Sequence, residues 1–126
     1  MKKVLIQDRF ASIEHIESLK DLMTVRVNPE LAEIDFAFCL GEFKDRILDY
    51  DLIISHPHTD DDCCVPLIEN AHQNEIKVVL FYKTERPHGK EIEALAQNHN
   101  FEMVFRTSGL PWEVYAKAIN KYLLQQ

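Results

Sequence analysis

Glycine, proline and cysteine are scarce in the 126-residue sequence, which contains 3 Gly, 5 Pro and 3 Cys. So few glycines and prolines exclude a collagenous or low-complexity chain, and 46% apolar residues are enough to fill a core. An odd number of cysteines, two of them adjacent, does not fit a secreted disulfide framework and is typical of reduced thiols. The length is that of one domain, so we expect residues 1–126 to form a single unit.

Basic residues are also fewer than acidic ones. The sequence contains 14 Lys+Arg and 21 Asp+Glu, so its formal net charge is -7. This balance opposes nonspecific binding to phosphate backbones or anionic membranes, so the sequence predicts neither a nucleic-acid nor a membrane partner. Long hydrophobic runs are absent as well: the first apolar run ends at Ile6, just before Gln7, too early for a signal peptide or a membrane span. These features predict a soluble, cytoplasmic protein.

Short runs rich in β-branched and aromatic residues predict strands. They are Val4–Ile6, Thr24–Val27, Leu52–Ile54, Val78–Tyr82 and Met103–Phe105. The first, third and fourth runs are continuously apolar instead of alternating, which is typical of strands covered on both faces in a parallel sheet. Such strands require helices on both sides of the sheet.

The segments between the strands supply amphipathic stripes that predict helices. They are Ser12–Met23, Pro66–Glu75, Glu91–Gln97 and a last helix that begins at Pro111. Residues 29–48 are ambiguous, because Asn28 and Pro29 suit a helix start whereas Phe36, Phe38 and Leu40 alternate as in a strand. We favour a helix there.

Strands and helices that alternate in this way predict an α/β protein. Right-handed crossovers then give a three-layer α/β/α sandwich of the flavodoxin-like class, with a five-stranded parallel sheet in the order 2-1-3-4-5.

Three strand segments, Lys3–Asp8, Asp51–Pro57 and Lys77–Tyr82, resemble those of response-regulator receiver domains. The resemblance in length and element order covers the whole chain and implies the receiver fold. The stretch through Asp51 is also similar to the first domain of D-2-hydroxyacid dehydrogenases, although no nicotinamide-binding half follows it.

The resemblance allows the chemistry of receivers to be compared residue by residue. Receivers hold a divalent cation with an acidic pair, of which Asp8 is one member here while Arg9 occupies the other position. Their phosphoacceptor aspartate aligns with His56, their hydroxyl residue with Tyr82 and their lysine with Arg106. Since phosphoryl transfer needs a carboxylate close to a cation, the resemblance implies a degenerate receiver, a noncatalytic regulatory or protein-interaction domain.

Ligands of open α/β sheets bind beyond the carboxyl ends of the strands. The candidate ligand-binding residues are those that follow the predicted strands: Asp8, Arg9, His56, His58, Lys83, Arg106, Thr107 and Ser108. Their basic members, together with Arg86, suit a small anionic ligand, so the alternative function is a small enzyme or binding protein for a nucleotide or another anionic metabolite. An ordinary helix N-cap also explains Thr107 and Ser108, and we favour it. We assign no catalytic residue, because neither paired carboxylates nor a Ser-His-Asp order can be argued from the spacing. We assign no cofactor, because glycine-rich phosphate loops are missing.

The segment Ser55–Cys64 contains two imidazoles, three carboxylates and two thiols within ten residues. A metal site and a nucleophilic cysteine are both conceivable there. However, a helical backbone directs the adjacent Cys63 and Cys64 about 100° apart, and the neighbouring aspartates raise a thiol pKa. We favour a helix start in which Thr59 to Asp62 cap free backbone N–H groups, and we predict no metal.

The last helix contains three aromatic residues, Trp112, Tyr115 and Tyr122. Packing against the sheet explains them best, because an exposed tryptophan is unfavourable without a partner. The alternative is a docking face for a protein partner or a second copy of the chain, since Trp and Tyr are enriched at interfaces.

We expect chelator treatment to leave the melting temperature of the purified protein nearly unchanged. A structural zinc ion contributes folding free energy directly, so a metal-dependent fold melts when it is stripped. Stoichiometric zinc, copper or iron in the protein, lost when both His56 and His58 are replaced, would contradict the expectation.

Overall fold

Residues 1–7, 21–23, 25–37, 40–55, 64–82, 94, 97, 102–105 and 111–124 are described by a computed structural model. Five parallel strands form one sheet in the order β2-β1-β3-β4-β5. The strands are β1 (Lys2–Gln7), β2 (Ala32–Ala37), β3 (Leu52–Ser55), β4 (Lys77–Tyr82) and β5 (Glu102–Phe105). This sheet confirms the predicted α/β, flavodoxin-like class and the predicted strand order.

Helical segments separate most of these strands. A 3₁₀ helix spans Leu40–Asp49, and α-helices span Cys64–Gln73 and Pro111–Ile119. The last of these continues as a π-helical turn over Asn120–Leu124. The predicted helices at Pro66–Glu75 and from Pro111 are confirmed, whereas most of Ser12–Met23 and Glu91–Gln97 lies outside the described residues.

Hydrophobic cores cover both faces of the sheet. On one face, Val4 and Ile54 pack with Met23, Tyr115 and Ile119. On the other face, the core consists mainly of the strand residues Leu5, Ile53 and Leu80 together with the helical residues Leu40, Ile47 and Ile68. Because successive side chains of a strand point to opposite faces, the apolar runs of β1 and β3 supply both cores.

The second strand differs from the predicted one. The predicted strand Thr24–Val27 is wrong, because residues 25 and 26 are helical and the Val27 N–H donates to the Met23 carbonyl at 2.8 Å. Val25 is 81% exposed whereas Val27 is 2% exposed, which is incompatible with two positions on the same face of a strand. Met23 and Val27 instead face the core at the four-residue spacing of a helix.

The ambiguous segment Pro29–Leu48 contains the true second strand, so the helix that we favoured over its whole length is wrong at Ala32–Ala37. Asn28 ends the preceding helix in a turn: its carbonyl accepts from Leu31 N at 3.0 Å and its Oδ1 accepts from Glu30 N at 2.9 Å. The alternating pattern that starts at Phe36 does indicate a strand in this segment, but the strand begins earlier, at Ala32. Among the described residues after β2, Leu40–Asp49 form the 3₁₀ helix, with non-helical angles at Phe43.

The last helix packs its apolar side against the sheet. Tyr115 is fully buried, as the core interpretation predicts, while Glu113, Lys117 and Lys121 are exposed. The side chain of Trp112 lies outside the described residues. Within the described part of the chain, no helix combines the length and apolar character needed to cross a membrane.

Two valines separated by one residue allow the helical assignment to be tested. We expect Val27→Ala to lower the free energy of unfolding by about 1–3 kcal/mol, because buried methyl groups are lost and a cavity remains. The matched change Val25→Ala, at an exposed position, is expected to stay within about 0.5 kcal/mol of the wild type. Urea unfolding followed by circular dichroism measures both, and equal losses would restore a strand at this position.

Candidate functional site

The predicted ligand-binding residues lie outside the described residues: Asp8, Arg9, His56, His58, Lys83, Arg106, Thr107 and Ser108. The structure instead describes the strand ends that several of them follow in sequence. Gln7, Ser55, Tyr82 and Phe105 end β1, β3, β4 and β5 and directly precede Asp8, His56, Lys83 and Arg106. Since all five strands are parallel, these ends share one edge of the sheet, which we call the carboxyl edge.

A buried polar pair occupies the centre of the carboxyl edge. Gln7 and Ser55 face each other across β1 and β3, and the Ser55 hydroxyl donates to Gln7 Oε1. Gln7 is 1% exposed and Ser55 is fully buried. Both groups are uncharged, so their mutual hydrogen bond offsets part of the cost of removing them from water.

Sequence reasoning did not assign Gln7 and Ser55 to the site. A signal was present, however, because each is a polar residue that ends a continuously apolar run, Val4–Ile6 or Leu52–Ile54. Side chains of Gln7 and Leu5 share one face of the sheet, as do those of Ser55 and Ile53. The polar pair therefore extends the core of that face to the carboxyl edge.

The carboxylate nearest to β3 in sequence lies at the opposite edge of the sheet. Asp51 directly precedes β3; its Oδ2 accepts from Lys3 N at 2.8 Å, and its own N–H donates to the Lys3 carbonyl at 2.8 Å. These bonds attach Asp51 to the beginning of β1. Asp51 is therefore separated from the carboxyl edge by the length of β3.

A tyrosine–aspartate hydrogen bond fixes the outer strand β2. The Tyr50 hydroxyl donates to Asp35 Oδ2 at 2.7 Å, and the Phe43 ring packs edge-on against Tyr50 with centroids 6.2 Å apart. Burial, and secondarily the bond to Asp35, raises the pKa of Tyr50 well above its ordinary value of 10.0. Tyr50 thus remains a neutral donor at physiological pH, and the stability from this raised pKa is lost only as the pH rises above that ordinary value.

The predicted absence of a bound metal stays a prediction. Across the described ranges, no group of three His, Cys, Asp or Glu side chains is suitably placed to hold a metal ion. The candidate metal ligands of the sequence, including His56, His58 and Cys63, are outside those ranges.

No protein-family model matches the sequence, and no curated protein matches it either. Similarity to solved structures nevertheless extends over nearly the whole chain. A response regulator receiver domain protein from Clostridium thermocellum superimposes with a TM-score of 0.67 at 13% identity, covering 99% of this chain and 96% of that one. A receiver domain protein from Methanospirillum hungatei gives a TM-score of 0.65 at 17% identity, with 99% and 95% covered.

The solved structure of an enzyme is also similar to this chain. A CMP N-glycosidase from Clostridium botulinum gives a TM-score of 0.59 at 20% identity, covering 97% of this chain and all of that one. Identities this low establish the fold and not the chemistry. The strand order and these superpositions together establish a flavodoxin-like fold similar to that of receiver domains.

The polar pair at the carboxyl edge should behave as an energetically coupled unit. We expect Ser55→Ala to lower the free energy of unfolding by about 1–3 kcal/mol, because buried Gln7 Oε1 loses a donor. The double variant Ser55→Ala, Gln7→Met should lose less free energy of unfolding than the sum of the losses of the two single variants. We expect this difference to be about 0.5–3 kcal/mol. Urea unfolding of the four proteins gives this coupling energy, and strictly additive losses would show that the bond contributes nothing.

Proposed function

We propose that the chain is a noncatalytic, receiver-like regulatory or protein-interaction domain of the cytoplasm that lacks a phosphoacceptor aspartate. The observation that carries the proposal is the composition and end of β3. The strand consists of Leu52–Ser55 and contains no carboxylate, and the next residue in the sequence is His56. Asp51 accepts a hydrogen bond from the Lys3 N–H at the other end of the strand, so it cannot take the place of the phosphoacceptor aspartate.

The chemistry of the carboxyl edge supports the same proposal. Phosphoryl transfer to a carboxylate depends on a divalent cation that neutralises the oxygens of donor and acceptor. At the ends of β1 and β3 the buried pair, Gln7 and Ser55, is uncharged. Of the acidic pair that the receiver resemblance implies, only Asp8 remains, and Arg9 adds a positive charge in place of the second carboxylate.

The partner that we propose is another protein or a second copy of the chain, rather than nucleic acid or a membrane. A net charge of -7 disfavours both phosphate backbones and anionic lipid surfaces. Docking through the last helix would involve its exposed stripe of Glu113, Lys117 and Lys121, which presents both signs of charge.

Phosphorylation by a small donor tests the proposal. After incubation with acetyl phosphate and magnesium, intact-mass spectrometry should show no acid-labile phosphoryl adduct on the wild type. The double variant Arg9→Asp, His56→Asp restores the carboxylates that receivers use, and we expect it to gain an adduct. A receiver domain with an intact aspartate, treated in parallel, controls for the reagent. A stoichiometric adduct on the wild type would show that the chain is an active receiver.

A second function is favoured by the similarity to the CMP N-glycosidase, which covers nearly the whole of both chains. On this alternative, Arg9, Lys83, Arg86 and Arg106 neutralise a nucleotide or another anionic metabolite at the carboxyl edge. A thermal-shift screen against CMP, other nucleotides and phosphorylated metabolites separates the two functions, because a ligand at 100 times its Kd stabilises the fold by about 2.7 kcal/mol. Stabilisation by a nucleotide that is lost in Arg106→Ala would replace the noncatalytic proposal with this one.

A further inference from the structure

The outer edge of β2 is a second surface, distinct from the carboxyl edge. In the described part of the sheet β2 is the terminal strand and pairs with β1 alone. Its middle is accessible, because Glu33 is exposed and Ile34 and Asp35 are half-buried. An edge strand offers a row of backbone N–H and C=O groups to which an extended segment of another chain can pair.

The two faces of β2 differ in chemistry. Ala32, Ile34 and Phe36 belong to one face and pack on the core that contains Met23 and Val27. Beside them opens a largely apolar cavity of about 250 Å³, lined mainly by apolar residues such as Met1, Met23, Val27 and Ile34 and also by Glu33. Nearby positions add exposed apolar surface, since the side chains of Met1, Val25 and Leu31 are all accessible.

The opposite face of β2 is acidic. Glu33 and Asp35 lie two residues apart and therefore point to the same side of the sheet. Asp35 is held in place by the hydroxyl of Tyr50, so its carboxylate is fixed relative to the strand. Arg46, a basic side chain on the adjacent 3₁₀ helix, lies over the Phe43 ring at 4.7 Å from its centroid.

We propose that the β2 edge binds an extended segment of another protein in which apolar and basic residues alternate. The apolar side chains of this segment lie beside Ile34 and over the cavity, and the basic side chains lie beside Glu33 and Asp35. Opposite charges across neighbouring strands stabilise the pair, and backbone hydrogen bonds supply the remaining affinity. This proposal concerns the β2 edge, whereas the proposed function concerns the carboxyl edge. Either proposal can therefore fail without the other.

A second copy of this chain fits the β2 edge less well. Pairing of two β2 strands brings the acidic faces of both copies together, and like charges across neighbouring strands are destabilising. The overall charge of -7 adds repulsion between copies. Charges on an edge strand also protect it from self-association, and the same acidic face selects for a basic partner.

A capped peptide of alternating valine and lysine, as long as β2, is the probe. We expect calorimetry to detect binding of this peptide but not of a peptide with the same residues in two separate blocks. Glu33→Lys should weaken binding about tenfold, the equivalent of about 1.4 kcal/mol. The matched change Glu30→Lys alters the net charge equally in the preceding turn and should leave the Kd unchanged. Hydrogen exchange at the amides of β2 should slow when the peptide is bound.

A second variant distinguishes a loss of binding from a loss of folding. Asp35→Asn keeps an acceptor for Tyr50 and removes the charge, so it should weaken binding while far-UV circular dichroism and the melting temperature stay close to those of the wild type. Absence of binding, equal binding of the block peptide, or equal loss in Glu30→Lys would overturn the proposal. A dimer of the wild type that Glu33→Lys dissociates would also overturn it, by assigning the edge to a second copy.

Discussion

Burial of β1 and β3 on both faces is the constraint on which the rest of the structure depends. Val4–Ile6 and Leu52–Ile54 are fully buried although successive side chains point in opposite directions. Their burial requires a layer of helices on each side, and it leaves no place for a polar side chain within either run. Polar groups can occur only where the strands end, which is why Gln7 and Ser55 mark the carboxyl edge.

This constraint also determines how much of the fold is predictable from sequence. A strand covered on both faces has a continuous apolar run, so short segments are enough to predict β1, β3 and β4. The edge strand β2 has one acidic face, so apolar and acidic residues alternate along it, and Asn28 and Pro29 just before it suit a helix start. The β-branched Val25 and Val27 favour a strand eight residues before the true start of β2 at Ala32, because strand propensity is weak compared with the burial of Met23 and Val27 on one helix face.

The candidate site was predictable only in part, for a related reason. Parallel topology indicates that residues following the strands gather at one edge, and that inference needs no coordinates. Pairing between Gln7 and Ser55 is different, since it depends on the register of two strands that are far apart in sequence. The bond between Tyr50 and Asp35 likewise requires β2 to lie beside β1, and β2 was the strand placed wrongly. Sequence patterns specify faces, whereas specific side-chain contacts follow from register.

The proposed function and the proposed partner surface are connected by how a regulatory domain changes affinity. A ligand shifts a conformational equilibrium only when it binds the two states with different affinity. A receiver that gains a phosphoryl group can therefore expose or hide a partner surface, but a chain without an acceptor has no such input at its carboxyl edge. Any partner surface on such a chain has to be present in its ground state. The β2 edge meets this requirement, because Tyr50 fixes Asp35, the backbone pairs with β1 over the whole strand, and the apolar cavity is already open beside Ile34.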